Sequence, residues 1–106
     1  MFDITLADIE TFLTTKQDND VIGSTFSPYG CLVANTLSFL YPGYLWSVGM
    51  TDAYGLVDME VALSGESQIV HFSHEIVQLI ENFDTCTPVY DAQPVTKVEW
   101  RAACNK

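Results

Sequence analysis

A chain of 106 residues is long enough for one hydrophobic core and too short for two, so we expect a single domain over residues 1–106. Hydrophobic residues make up 48% and charged residues 17%, a balance that excludes a disordered chain. The net charge of −10 at pH 7 argues against direct binding to nucleic acids or anionic membranes, because both attract Lys and Arg.

The first predicted element is a helix over residues 5–16. Thr5 and Asp8 have the spacing of a capping box, which is typical of the start of a helix. The apolar residues that follow recur on one helical face: Leu6, Ile9, Phe12 and Leu13. We therefore expect this helix to pack one side against the core.

A long run without formal charge, residues 21–51, contains the second predicted helix. Ser27 can cap a helix and Pro28 suits its first position. Pro42 ends it, so we expect a helix over residues 28–41. Prolines, glycines and polar residues interrupt the run before it reaches the ~20 apolar residues of a membrane span. We interpret the run as the centre of the fold and expect no membrane partner.

Three segments alternate with the period of a β-strand: residues 44–50, 57–63 and 68–72. Residues 64–67 have the composition of a turn, which favours an antiparallel meander. This turn would place Glu60 opposite His71 as a cross-strand pair. The solvent face of the sheet then mixes small and apolar groups, among them Leu45 and Ile69.

The C-terminal part of the chain predicts a helix, a loop and a strand. Ser73 can cap a helix over residues 74–84. Residues 85–94 have loop composition, and alternation over residues 96–102 indicates a last strand. The predicted order is α-α-β-β-β-α-β. We expect a two-layer α+β domain with an antiparallel three-stranded meander, a C-terminal strand, and helices on one face.

The cysteines are odd in number and lack the close spacing of a metal site: Cys31, Cys86 and Cys104. We predict three free thiols, which is the usual state in the reducing cytoplasm. No glycine-rich phosphate loop accompanies them, and His71 and His74 are not spaced to share a zinc ion on one helix face. Neither a cofactor nor a metal is therefore expected.

A small thiol hydrolase is one alternative function. Cys31 falls in the first turns of a predicted helix, where the helix dipole stabilises a thiolate. His71 or His74 would then act as the base. The competing interpretation is a buried structural thiol, which is common for cysteine.

The leading hypothesis is a non-enzymatic module that binds a basic protein partner, because the chain has 14 Asp and Glu but only 4 Lys and Arg. Antitoxins, immunity proteins and nucleic-acid mimics are small acidic blockers of this general kind. The predicted contact face consists of five carboxylates: Asp18, Asp20, Glu75, Glu81 and Asp84. A self-associating domain, in the form of a homodimer, is the other alternative.

Overall fold

Helices and strands are interspersed along the chain in a computed structural model that describes residues 2–57, 67–86 and 91–104. The elements are α1 (Leu6–Thr14), β1 (Val21–Ser24), α2 (Leu32–Leu40), β2 (Tyr44–Val48), β3 (Asp52–Val57), β4 (Ser67–His71), α3 (His74–Asp84), β5 (Pro94–Thr96), α4 (Lys97–Glu99) and a π-helical turn (Trp100–Cys104). The chain is an α+β domain, as predicted, and the predicted elements occur in the predicted order.

Two antiparallel sheets organise the strands. β2, β3 and β4 form the predicted three-stranded meander, and β1 pairs with β5 in a second, two-stranded sheet. One face of the meander is buried against the helical layer through Trp46, Val48, Ala53 and Val70. The other face is exposed, so this sheet has the one-sided burial that is common in antiparallel architecture.

Helix α2 lies at the centre of the fold, where it packs against α1, α3, β1 and β2. More than half of its side chains are buried: Leu32, Val33, Ala34, Thr36 and Leu37. The buried hydroxyl of Thr36 donates to the Leu32 carbonyl at 2.8 Å, so it carries no unpaired polar group into the core. The uncharged run of the sequence is therefore the core helix and its flanking strands.

The local signals for α1 and α3 are confirmed. Thr5 and Asp8 form the predicted capping box at the start of α1. Ser73 caps α3, its side chain accepting the backbone N–H of Ile76, and the helix spans the predicted residues. Both helices bury one apolar face, although α1 is shorter than the predicted 5–16 and Leu6, predicted on its buried face, is 39% exposed.

The predicted start of α2 is wrong. The helix begins at Leu32 with Cys31 as its N-cap, rather than at Pro28 with Ser27 as cap. Residues 27–30 instead form a turn in which the Ser27 carbonyl accepts the N–H of Cys31 at 3.0 Å. The carbonyl of Gly30 accepts the Ser24 N–H at 2.8 Å, which ties this turn to β1 and delays the helix.

The predicted register of the β3–β4 hairpin is also wrong. β3 spans Asp52–Val57, and His71 lies opposite Asp52 rather than Glu60. Glu60 and most of the predicted 57–63 strand lie outside the described residues. A tight turn after β2, closed by the Gly49 N–H donating to the Asp52 carbonyl at 2.8 Å, starts β3 earlier than the alternation predicted.

The predicted strand over residues 96–102 is wrong: only Thr96 is in a strand, the short β5, and residues 97–102 are helical. Thr96 and Glu99 form a capping box, which starts a helix at Lys97. Trp100 is buried, with its ring 5.6 Å from that of Phe83 on α3. The unpredicted β1 arises from pairing with β5, a long-range contact that local alternation does not reveal.

Candidate functional site

Helix α3 presents two of the predicted contact carboxylates directly to solvent. Ile76 and Phe83 anchor the helix in the core, while Glu75 and Glu81 are exposed. Helical periodicity places these two carboxylates at opposite edges of the exposed face. The half-buried Asp84 lies one turn beyond Glu81 on the same flank.

The C-terminal end of α3 is acidic against the preference of the helix dipole. Glu81 and Asp84 lie in its last turn, which contains no basic residue. Carboxylates are disfavoured there because the end of a helix carries partial negative charge. Asp84 has a compensating contact, since its Oδ1 accepts the backbone N–H of Phe26 at 2.9 Å. Among the residues that the structure describes, no donor contacts the Glu81 carboxylate.

The described cations are grouped where α1 meets the C-terminal helices, and their contacts are made there. Arg101 forms a two-bonded ion pair with Glu10 at 2.8 and 3.1 Å. The Lys97 ammonium donates to the Lys16 carbonyl at 2.9 Å, and the Lys16 ammonium stands 5.3 Å from the centre of the Phe12 ring. The α3 carboxylates therefore have no ion-pair partner among the described residues.

Asp18 and Asp20 lie apart from α3, in the exposed loop between α1 and β1. Their backbone carbonyls accept the N–H groups of Val98 and Lys97 at 2.9 and 3.0 Å. This loop thus lies beside the basic C-terminal segment. The five predicted contact carboxylates fall into two groups, and partner binding by either group stays a prediction.

A pocket of about 220 Å³ opens at the C-terminal end of α3. Its walls include Phe26, Pro28, Cys31, Met50, Ile80 and Asp84. Phe26 adopts the left-handed conformation with φ of 53°, which is rare for a bulky residue and marks a local strain. The pocket is mostly apolar, with one carboxylate in its wall.

Cys31 closes the floor of this pocket as a buried cap of α2. Its Sγ accepts the Ala34 N–H at 3.4 Å, and only 6% of the residue is exposed. Burial, helped by the negative charge of Asp84, raises the pKa of the thiol above its ordinary value. Neither His71 nor His74 is among the described residues that line the pocket. This setting favours the neutral thiol and does not support a thiol hydrolase.

The prediction of three free thiols is wrong. Cys86, just after α3, is disulfide-bonded, and Cys31 is a free thiol. An odd number of cysteines does not reveal which of them pair, so this bond has no local sequence signal.

The comparisons with known proteins do not assign the site. Comparisons with models of protein families, with curated proteins and with solved structures yield no match. In the described ranges, no helix has the length and apolarity to cross a membrane, and no group of three or more His, Cys, Asp or Glu side chains could hold a metal ion. The chemistry of α3 and its pocket therefore has to be argued from their own residues.

The sequence analysis singles out two residues of this site, Cys31 and Asp84, but gives no reason to place them together. Nothing in the sequence indicates that the other lining residues form a pocket. Phe26 is not a residue type that predicts a left-handed backbone, which usually indicates Gly or Asn. Met50 and Ile80 look like ordinary core positions, and only the turn after β2 brings Met50 to the pocket.

Proposed function

We propose that the protein is a non-enzymatic module that binds a basic protein partner through the acidic surface of α3, as antitoxins, immunity proteins and nucleic-acid mimics do. The observation that carries the proposal is that the exposed carboxylates of α3 are not used in ion pairs within the described residues. The described Lys and Arg side chains gather beside α1, while Glu75 and Glu81 stand exposed on α3 without an ion-pair partner in the described ranges. A surface of one sign attracts and orients a partner of the other sign.

Neutralising the α3 surface is expected to slow association with the partner. The partner is captured from a native lysate on the immobilised chain and identified, and its association rate is measured at several ionic strengths. Charges are screened over about 8 Å at physiological salt, so the rate should fall steeply as salt rises while dissociation changes less. The double variant E75Q/E81Q should show a slower rate and a weaker salt dependence.

The matched control changes the net charge equally at a distant place. D3N/T14K alters exposed residues at the N-terminal side of the fold and should keep most of the rate and its salt dependence. A captured partner without a basic surface, or an association rate that does not depend on salt, would contradict the proposal. Equal effects of the two double variants would show that α3 is not the contact surface.

A self-associating domain is the second candidate, supported by the outer face of the meander. This face presents four large apolar side chains, each about half exposed: Leu45, Tyr54, Leu56 and Ile69. The register aligns Leu45 with Leu56 and Tyr54 with Ile69, so they form one patch. Exposed apolar patches of this kind are typical of protein interfaces.

We expect a homodimer of the 11.8 kDa chain in light scattering at high concentration. Placing a charge in the patch, as in I69K, should give monomers, because an unpaired buried charge is costly at an interface. V98K introduces the same charge at an exposed apolar residue outside the patch and should leave the dimer intact. A monomer at every concentration would exclude this candidate.

A cytoplasmic location is part of the proposal, and the Cys86 disulfide is the observation that weighs against it. Persistent disulfides are typical of oxidising compartments and rare in the cytosol. The binding proposal does not depend on the compartment, because carboxylates are ionised in either one.

A further inference from the structure

We infer that the pocket at the C-terminal end of α3 receives a single lysine or arginine side chain of the partner, with Asp84 holding its charged head. The inference rests on the proposed function, because it names the group on the basic partner that the acidic surface recognises. It adds a specific anchor to an attraction that would otherwise be diffuse. The anchor is defined by shape, apolar walls and one carboxylate.

The size of the pocket fits one side chain. Its volume of about 220 Å³ lies below the roughly 300–1,000 Å³ of sites that hold small molecules or cofactors. Phe26 and Met50, which are 42% and 70% exposed, stand in its wall within reach of a partner. Apolar walls of this kind suit the methylene stem of a long cationic side chain, which packs on apolar surface while its head stays polar. Met50 can adjust to the stem because its own chain is flexible.

Asp84 supplies the fixed negative charge. Its Oδ1 accepts the Phe26 N–H at 2.9 Å, which holds the carboxylate in place between α3 and the pocket wall. Among the described residues, no donor contacts Oδ2. A guanidinium or ammonium group can therefore reach an oriented carboxylate oxygen without displacing an internal hydrogen bond. Hydrogen bonds between charged groups are stronger than those between neutral ones.

The surroundings of the pocket favour a cation over a neutral or anionic group. Glu81 lies one turn before Asp84 on the same flank of α3, and no Lys, Arg or His is among the described residues of the lining. The floor is the neutral Cys31 thiol, whose pKa is raised by burial and by the negative charge of Asp84. An anion would be repelled by the carboxylates of Glu81 and Asp84. A purely apolar side chain would partly desolvate the Asp84 carboxylate and leave its Oδ2 without a hydrogen-bond donor.

The test measures binding of n-butylguanidinium to the full chain by amide chemical shifts in NMR. We expect saturable shifts at Gly49, Met50 and Asp84, and weaker binding of guanidinium, which lacks the stem, and of 1-pentanol, which lacks the charge. The variant D84N keeps an oxygen that can accept the Phe26 N–H, so the fold is retained while the charge is lost. Binding to D84N should be about tenfold weaker, in line with the loss of a hydrogen bond to a charged group.

The matched control is D3N. Asp3 also accepts a backbone N–H through Oδ1, from Ile4 at 2.8 Å, and it lies outside the pocket. D3N should bind n-butylguanidinium like the parent chain. Absence of saturable shifts, equal binding of 1-pentanol, or equal effects of D84N and D3N would each overturn the anchor. These outcomes differ from failure of the proposed function, which is judged by the salt dependence of the natural partner and by E75Q/E81Q, where Asp84 is unchanged.

Discussion

Reduction of the Cys86 disulfide is expected to lower the free energy of unfolding by about 2–4 kcal/mol. A disulfide restricts the unfolded chain, and a domain of 106 residues has only a modest core to compensate for its loss. Cys86 lies three residues after Phe83, whose ring packs on that of Trp100. Urea denaturation with and without a phosphine reductant measures the difference.

Counting thiols provides the control for this prediction. The unfolded, unreduced chain should incorporate one equivalent of iodoacetamide, because a disulfide consumes two of the three cysteines. The native chain should react slowly even at that site, since Cys31 is buried and its pKa is raised. C86A should lose its sensitivity to the reductant. Three reactive thiols in the unreduced chain, with equal stability in both conditions, would contradict the bond.

Elements defined by contacts within one or two turns are predictable from this sequence. Thr5 with Asp8 and Ser73 with its apolar periodicity mark α1 and α3, because caps and helical faces are local features. The α+β class follows from these helices and from three strands joined by turns. Thr96 and Glu99 also have capping-box spacing, and the alternation that favoured a strand there was the weaker signal.

Elements defined by distant partners are not predictable in this way. β1 exists because it pairs with β5 more than 60 residues later in the sequence. β3 lacks apolar alternation because its buried residues are the small Ala53 and Gly55, and the large Trp46 ring lies against Gly55. The apolar alternation further on, over residues 57–63, therefore led to the wrong partner for His71, which lies opposite Asp52.

In the candidate site, too, local features are predictable from the sequence and features that depend on distant contacts are not. The excess of carboxylates and the solvent exposure of Glu75 and Glu81 follow from composition and helical period. The pocket does not, because it depends on the bond from Phe26 to Asp84 across 58 positions of sequence. A contact of this range is set by the packing of α2 against α3, which no local pattern encodes.

The packing of Trp46 on Gly55 helps to place β3. Disturbing this packing with an added methyl group is expected to cause the second large loss of stability. A Cβ atom at Gly55 would stand 2.7 and 2.8 Å from Cζ3 and Cη2 of the Trp46 ring, closer than real Cβ contacts. The ring is 1% exposed and its Nε1–H donates to the Tyr41 carbonyl, so it has little freedom to move. G55A should therefore lower the free energy of unfolding by roughly 1–3 kcal/mol, as overpacking of a core does.

A double-mutant cycle tests whether the tryptophan is the cause. Phenylalanine lacks the outer ring atoms that approach Gly55, so W46F opens space for the new methyl group. In the W46F background the cost of G55A should fall, giving a coupling energy of about 0.5–3 kcal/mol between the two sites. The control pair combines G55A with T14A, an exposed residue of α1, and should be additive within about 0.5 kcal/mol. If G55A lowers the free energy of unfolding as much in W46F as in the parent chain, the Trp46 ring is not the reason that position 55 requires glycine. The explanation of β3 by this packing would then be wrong.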